Sequence, residues 1–421
     1  MIIFANSRNA VFCSRSGVSP TPGELCMKNI YLDNAAAAPI HPLVQEEINR
    51  GMKVYGNPSS FNDMGRRALK ELTKARTNIA RFLGAHSEEI IFTGSGSEAN
   101  NMALLGSALL SLKGKTEIIT TPVEHLSVLE PIRYLFEKGD KSIFIKVDKS
   151  GVADTQDLSS KISDRTILVS VMYANNEIGT IEPIVKIGKI IKEFKAKNYK
   201  LKTTSYPLFH VDACQAAGSL NMNVNSLGVD LLTFNGSKIG GPRGIGVLYV
   251  RRGIRLTPHT LGGGQERGLR AGTENLPAIL GLSKAIELID KKEPVRLTAL
   301  RDYFIDRIKK ILPEVRINGS LGDLRLPNNI NVSIPGLDSE NLLLELDKYG
   351  IYAGSGSACT SRAVEPSHVL KAIGTEKKYL DGALRFSMGR ETTKENLDYV
   401  LKVLPKIISD LRKRYEVIDK S

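Results

Sequence analysis

The stretch VDLLTFNGSKIGGPRGIGVLYVRR, residues 229–252, holds two short apolar runs joined by a glycine-rich turn. The runs 229–235 and 244–252 have the length and apolar character of buried β-strands. Similar runs precede them, and helical segments separate most of these. The pattern predicts an α/β layer fold around one large, mostly parallel sheet of seven strands. The remaining runs are 88–94, 116–122, 142–148, 166–175 and 208–213.

The regions on either side of this pattern differ from it. Residues 1–27 carry scattered Ser, Arg and Pro without a period. We expect a disordered extension there, and a transit peptide, a genuine upstream addition and a mis-called start codon all remain open. Residues 42–293 are expected to form a large domain. Residues 28–41 and 294–421 are expected to form a smaller α+β domain.

The composition is that of a folded globular chain. Of 421 residues, 42% are hydrophobic and 24% are charged, which argues against disorder, collagen-like repeats and coiled coil. The four cysteines, Cys13, Cys26, Cys214 and Cys359, form no CxxC pair. That spacing argues against a disulfide scaffold or a zinc ribbon and favours a reducing setting, so we expect a soluble cytoplasmic protein without a metal. No apolar run approaches the roughly 18–20 residues of a membrane helix.

The formal net charge of +13 raises the question of an acidic partner. Residues 186–202 carry seven lysines against one glutamate, with isoleucines on the opposite side of a helical period. This predicts an amphipathic helix with a basic, solvated face. Plain surface solubility, nucleic-acid contact and acidic-protein contact remain open for that face. A second basic stretch, 238–270, overlaps the glycine-rich turn.

Polar residues that suit a phosphate cofactor follow three of the predicted strands. Gly96 and Ser97 lie in a Gly/Ser turn before a helix, which suits a phosphate, although a plain helix cap is the alternative. Asp212 ends the run 208–213, where a buried carboxylate needs a partner such as a cationic ring nitrogen; a helix N-cap or a structural ion pair is the alternative. Lys238 follows the run 229–235, where the amine would be nucleophilic if it is desolvated, and a surface lysine that merely follows a strand is the alternative. Together they are the residues that pyridoxal phosphate requires.

The chain resembles the cysteine desulfurases of the NifS/IscS-like group, within the class V aminotransferase superfamily. The resemblance covers about residues 30–408 and rests on eleven motifs in family order. They are YLDNAAAAP, YGNPSS, GSGSEANN, EHLSVLEP, NNEIGT, HVDACQ, NGSKIGGPRGIGVLYV, GGGQERGLRAGTEN, AGSGSACTS, EPSHVLKAIG and RFSMGRETT. The resemblance implies a homodimer of the pyridoxal-phosphate-dependent transferase fold type I. Such an enzyme takes sulfur from L-cysteine, leaves L-alanine, and passes the sulfur to an acceptor such as an iron–sulfur scaffold or to tRNA thiolation.

The resemblance also implies how the cofactor ring is held. Lys238 would carry pyridoxal 5'-phosphate as a Schiff base, and Asp212 would pair with the pyridine nitrogen. Gln215 and Asn176 would hydrogen-bond the ring oxygen. His125 would stack on the ring and help to move protons.

Phosphate and substrate contacts follow from the same resemblance. Thr273 would reach a phosphate bound in the partner subunit, and Asn34 and Arg385 would bind the substrate carboxylate. The guanidinium fork of Arg385 also matches a carboxylate on chemical grounds. The residues that would hold the phosphate are Gly96, Ser97 and Ser237.

Cys359 is the predicted nucleophile. It lies in AGSGSACTS, a run of small residues, and composition alone leaves nucleophile and bystander equally open. By the resemblance, the matching cysteine forms a persulfide and lies on a long mobile loop that extends to Glu365. Cys214 is interpreted as a small core residue beside Asp212.

The sequence departs from the family pattern at Ser237, Asn235 and Gln265, where histidine, serine and histidine are common. We expect these departures to affect cofactor affinity more than the chemistry. Selenocysteine lyase or an ordinary class V aminotransferase is the nearest alternative function, and a non-catalytic sulfur-relay or tRNA-binding homologue is the second. The histidines without metal-ligand spacing are expected to be structural: His41, His86, His210, His259 and His368.

Overall fold

The computed structural model describes residues 29–109, 117–197, 206–356 and 366–418. The predicted extension 1–27 and the predicted nucleophile Cys359 both lie outside the described residues. No helix within the described ranges is long and apolar enough to cross a membrane.

The described chain contains twelve strands in three sheets. They are β1 Ile30–Tyr31, β2 Ile90–Thr93, β3 Glu117–Thr120, β4 Lys141–Phe144, β5 Thr166–Ser170, β6 Leu208–Asp212, β7 Leu231–Asn235, β8 Gly246–Val250, β9 Arg316–Ile317, β10 Asn329–Ser333, β11 Ile351–Tyr352 and β12 Ala383–Ser387. The largest sheet has seven strands in the order β2-β8-β7-β6-β5-β3-β4.

Six strands of this sheet run in the same direction, and β8 runs against its neighbours β2 and β7. The connection between β7 and β8, residues 236–245, is too short for a parallel crossover, so β8 returns antiparallel. The predicted mostly parallel seven-stranded α/β sheet is therefore confirmed. The two smaller sheets are an antiparallel β12-β10-β9 and a parallel β1-β11 pair.

Helices cover the large sheet and pack around the smaller sheets. They are α1 Pro42–Met52, α2 Asp63–Leu83, α3 Gly96–Ala108, α4 Leu126–Glu137, α5 Thr155–Lys161, α6 Ile184–Lys197, α7 Val224–Leu227, α8 Leu276–Glu287, α9 Glu293–Ile311, α10 Ser339–Lys348, α11 His368–Ala372 and α12 Lys394–Ile418.

The helix bounds follow from local chemistry, as α2 illustrates. The side chain of Asn62 accepts a hydrogen bond from the Gly65 amide at the first turn. Gly84 ends the helix in the left-handed conformation, at φ 65°, which glycine adopts without strain. Between these ends, buried residues recur at helical spacing: Ala68, Leu72, Ala75, Ile79 and Leu83.

The predicted basic helix is α6. It buries Ile184, Ile187 and Ile191 against the core of the large sheet. Lys195 forms an ion pair with Asp230 at 2.9 Å, so part of the basic charge is neutralised within the fold.

Apolar side chains form separate cores. Two clusters lie on the faces of the seven-stranded sheet. Another joins α9, α10 and α12 to the two smaller sheets, and it includes Ile30 and Leu32 from the start of the described chain. Ile30 and Leu32 thus pack with residues of α9, α10, α12 and the strands β10, β11 and β12.

Candidate active site

The predicted site residues meet at one edge of the large sheet. Because β2, β3, β5, β6 and β7 run in the same direction, their carboxyl ends open onto the same edge. Ligands of such sheets bind outside the carboxyl ends of the strands. Asp212 is the last residue of β6. The segments that follow the other four strands contain Gly96, His125, Asn176 and Lys238.

Asp212, the last residue of β6, is a buried carboxylate with 6% exposure. One oxygen accepts a hydrogen bond from the Cys214 amide at 3.0 Å. The other accepts from the Asn100 side chain at 2.7 Å. Both donors are neutral, whereas a buried anion is stabilised most by a cation. The carboxylate therefore fits a cationic ring nitrogen.

Asn100 links Asp212 to His125. Its amide nitrogen also donates to Ser127 Oγ at 2.9 Å, and Ser127 Oγ lies 2.8 Å from His125 Nδ1. The Ser127 backbone N–H donates to the same Nδ1 at 3.1 Å. Because Nδ1 is an acceptor, the neutral ring carries its proton on Nε2.

The charges around His125 agree with a neutral ring. Burial is the largest influence and lowers the pKa of His125. The Asp212 carboxylate opposes that shift, whereas the charges of Lys238 and His368 add to it. The lowered pKa keeps the ring neutral, and a neutral imidazole can both accept and donate a proton.

Lys238 lies in a short 3-10 turn, Gly236–Lys238, that directly follows β7. Its side chain is half-buried, and its amine donates to the carbonyl of Ala36. The neighbouring Ser237 hydroxyl donates to Asn235 Oδ1 at 3.3 Å. The turn places an amine and a hydroxyl at the same end of β7.

A cradle for an anion lies at the start of α3. Ser95 caps the helix by accepting from the Glu98 amide at 3.0 Å, and α3 is 13 residues long, so its amino terminus favours negative charge. A Cβ atom at Gly96 would lie 2.7 Å from Cys214 Sγ and 3.0 Å from Asn235 Nδ2. Only glycine fits there. Ser97, the next residue, is exposed.

Arg385 on β12 is a buried guanidinium, with 4% exposure. Its Nη2 pairs with Asp33 at 2.7 Å, and its Nη1 donates to the carbonyl of Asn176 at 3.2 Å. Its Nε is buried and has no hydrogen-bond partner among the described residues. Because the other nitrogens are held by these contacts, the unpaired Nε–H of Arg385 is suited to donate to the carboxylate of a ligand. Nearby, Asn34 donates to the Ser387 carbonyl at 2.9 Å.

The remaining predicted residues are placed as follows. Gln215 donates to the Ala35 carbonyl at 3.0 Å, which ties the segment after β6 to the segment after β1. Thr273 is exposed in the segment before α8. Cys214 lies beside Asp212, as interpreted from the sequence, and it is partly exposed.

Three residues that the sequence reasoning did not single out belong to the site: Asn100, Ser127 and Asp33. All three lie within motifs that carry the family resemblance. Their partners, however, lie on other strands and helices, so only the folded structure shows what they hold.

The decisive feature is the buried charge of Asp212 beside an anion cradle and a strand-end amine. A cofactor that has a cationic ring nitrogen, a phosphate and an aldehyde satisfies all of them at once. On a mostly parallel seven-stranded sheet, this defines the class of pyridoxal-phosphate-dependent enzymes of fold type I.

Comparison with known proteins narrows the class. The family model Aminotransferase class-V matches residues 30–400. The chain is 46% identical over 390 residues to cysteine desulfurase IscS from Dictyoglomus turgidum, covering 91% of this chain and 96% of that one. A solved NifS-like protein matches with TM-score 0.83 and 36% identity, covering 91% and 100% of the two chains. Another, SspA in complex with cysteine, matches with TM-score 0.74 and 32% identity, covering 85% and 98%.

The chain therefore belongs to the class-V aminotransferase family, and within it to the cysteine desulfurases of the NifS/IscS-like group. The predictions of the family, the fold, and a pyridoxal-phosphate-dependent enzyme are confirmed.

Proposed function

We propose that this enzyme removes sulfur from L-cysteine, leaves L-alanine, and stores the sulfur as a persulfide on Cys359. The observation that carries the proposal is the buried Asp212 carboxylate at the edge where Lys238 lies. Among the described residues, its two hydrogen-bond donors, the Asn100 side chain and the Cys214 amide, are neutral. The relatives named as cysteine desulfurases support the choice of reaction. A structural neighbour solved with cysteine supports the substrate.

Each part of the bound cofactor has residues suited to hold it. Asp212 would pair with the ring nitrogen, with Asn100 fixing the carboxylate. Gln215 and Asn176 would bind the ring oxygen, and His125 would stack on the ring. The residues for the phosphate are Gly96, Ser97, Ser237 and, from the partner subunit, Thr273. Pyridoxal phosphate, when bound through Lys238, supplies an electron sink for bonds at the substrate α-carbon.

The substrate would be oriented by its carboxylate. The open Nε–H of Arg385 and the amide of Asn34 are the residues we assign to that carboxylate. The amine of Lys238 would take the α-proton of the substrate. The neutral His125 ring would exchange a second proton through Nε2.

The sulfur-transfer step balances without an external oxidant. The Cys359 thiolate attacks the substrate sulfur, so a sulfur–sulfur bond forms while the substrate carbon–sulfur bond breaks. The electron pair of the broken bond stays with the carbon skeleton, which takes up a proton and leaves as alanine. Cysteine and a protein thiol thereby become alanine and a protein persulfide. The outer sulfur would then pass to an acceptor, for iron–sulfur cluster assembly or tRNA thiolation.

We assign the chain organisation by the same proposal. Residues 42–293 form the cofactor-binding domain, and residues 28–41 with 294–421 form the domain that carries Cys359.

A homodimer is supported by large apolar side chains that are exposed in the single chain, including Tyr55 at 79%, Phe61 at 96% and Leu261 at 82%. Thr273 is exposed as well, as a residue that serves a partner must be in the isolated chain. We place the enzyme in the cytoplasm.

The test compares purified protein with its Lys238→Ala variant in L-cysteine and a thiol reductant. We expect the wild type to show the yellow absorbance of a lysine-bound cofactor and to release alanine and sulfide in equal amounts. The variant should release neither above background. Normal release by the variant would refute the assignment of Lys238. Undiminished sulfide release by a Cys359→Ser variant would instead favour selenocysteine lyase or another class V activity.

A further inference from the structure

Glu177 is a buried carboxylate to which the proposed chemistry assigns no role. It follows Asn176 in the segment after β5, and 4% of it is exposed. It shares a groove of about 590 Å³ with two predicted site residues, His125 and Asn176. The groove is also lined by Gly356 and Ser367.

The Glu177 carboxylate contacts both of these residues through the same oxygen. The Ser367 hydroxyl donates to Oε2 at 2.5 Å. The Ser367 oxygen also accepts from the Leu370 amide at 3.2 Å, as the cap of α11, so its single proton points to the carboxylate. A Cβ at Gly356 would lie 2.3 Å from Oε2, so the Gly356 backbone lies directly against this oxygen.

These two contacts bracket the predicted nucleophile. In the sequence, Cys359 lies between Gly356 and Ser367. One carboxylate oxygen therefore touches the chain just before, and just after, the segment that carries the thiol.

The backbone of Glu177 is itself firmly held. Its N–H donates to Asn175 Oδ1 at 2.8 Å. Its carbonyl accepts from the buried side chains of Asn329 at 3.3 Å and Asn331 at 3.1 Å. Because β10 supplies both amides, Glu177 is fixed to the sheet that also contains Arg385. An anchor of this kind can define the position of what it holds.

We propose that Glu177 is a positioning residue for sulfur transfer: it fixes Gly356 and Ser367, the described residues that flank the Cys359 segment, beside the substrate carboxylate site at Arg385. The inference rests on the proposed function, because it assumes that Cys359 receives the sulfur. It predicts that losing the carboxylate slows transfer to Cys359 while cofactor and substrate still bind.

The charge of Glu177 gives the proposal a pH signature. Burial raises the pKa of Glu177 to about 7, opposed by the Ser367 hydrogen bond and the Arg385 charge. The carboxylate is thus ionised above about pH 7 and protonated below it. Other charged or titratable groups around it are Asp33, paired with Arg385, and, along the groove, His125, Glu130, Arg133 and His368.

The key variant is Glu177→Gln, which keeps the shape and resembles the protonated acid at every pH. Near pH 8 we expect persulfide formation on Cys359, followed by mass spectrometry in a single turnover, to fall about tenfold, the effect of weakening one hydrogen bond to a charged group. Near pH 6 the wild type should approach the variant, so the ratio of their rates should shrink. Titration of groups common to both proteins cancels in that ratio.

Two further variants sharpen the test. Gly356→Ala should slow transfer as well, because its Cβ displaces the carboxylate. Glu182→Gln is the matched control, since Glu182 is also a buried glutamate, and its carboxylate accepts from the Ala153 amide at 2.8 Å. The control should leave transfer unchanged. Cofactor absorbance and the absorbance change on adding L-cysteine should stay at wild-type levels in all three.

Several results would overturn the proposal. One is a Glu177→Gln transfer rate within twofold of wild type, and another is a rate ratio that does not change with pH. A loss of cysteine binding equal to the loss of rate would assign Glu177 to the substrate site instead. If the wild type binds cysteine but forms no persulfide, the proposed function fails. The alkylation rate of Cys359 by iodoacetamide then tests Glu177 alone, and equal rates in wild type and variant would refute its positioning role.

Discussion

Replacing Asp33 with asparagine removes one charge from a buried ion pair and leaves the shape of the side chain unchanged. Asp33 follows β1, and its carboxylate pairs with Arg385 Nη2 across 352 positions of sequence. Because the Arg385 guanidinium is only 4% exposed, water cannot solvate its charge in place of the lost carboxylate in the folded protein. We expect the Asp33→Asn variant to unfold more easily than the wild type.

The size of the effect follows from the geometry. Two unit charges 2.7 Å apart attract by about 6 kcal/mol at an effective dielectric constant of about 20. Part of this is offset by the hydration that both groups regain on unfolding, and removal of one partner from a buried pair costs about 3–5 kcal/mol. Because the Asp33 side chain is 22% exposed, we expect the lower end, about 3 kcal/mol.

The assay is urea unfolding followed by circular dichroism, with Glu314→Gln as the control. Glu314 pairs with Arg412 at 3.1 Å, and the two side chains are 35% and 41% exposed. The control should lose less than about 1 kcal/mol. The loss in Asp33→Asn should persist in about 0.5 M salt, because a buried pair is screened little. A loss equal to that of the control would show that the Asp33–Arg385 pair does not stabilise the fold as a buried pair.

Two further predictions concern buried glutamates. The buried Glu266 carboxylate accepts from Arg76 at 2.6 and 2.9 Å and from the Phe92 amide at 2.8 Å. Glu266→Ala should therefore destabilise the protein by about 3 kcal/mol in urea unfolding. The control Glu88→Gln, at an exposed ion pair, should cause no measurable change in the free energy of unfolding. Burial raises the pKa of Glu182 to about 8, so its contribution to stability is complete below about pH 4.5 and is lost as the pH rises through 8. The free energy of unfolding of the wild type should fall by at most about 1.4 kcal/mol per pH unit from this group, and Glu182→Gln should remove that fall. Parallel curves of stability against pH for the variant and the wild type would contradict the prediction.

The fold could be predicted because its strands are short apolar runs that cannot be exposed. All seven predicted runs of the large sheet became strands. The run 166–175 was predicted too long, since the strand ends at Ser170 and Tyr173 instead donates its amide to the Asp212 carbonyl at 2.8 Å. Apolar character continues through both parts, so composition alone cannot show where the strand ends.

The partners of the site residues could not be predicted. Asp33 and Arg385 lie 352 positions apart, and Asn100 and Asp212 lie 112 apart. A motif shows that a residue type recurs, but the pairing depends on which strands and helices become neighbours. The same holds for Glu177, whose motif NNEIGT gives no sign that its carboxylate reaches Gly356 and Ser367.

Storage of sulfur on Cys359 is tested most directly by locating the sulfur after one turnover. The purified enzyme is mixed with L-cysteine without a reductant, then digested, and each cysteine-containing peptide is examined by mass spectrometry while alanine is quantified. We expect one extra sulfur atom on Cys359, with alanine formed in equal amount in the first turnover. Alanine formed without a persulfide on Cys359, or a persulfide found on Cys214 instead, would contradict it.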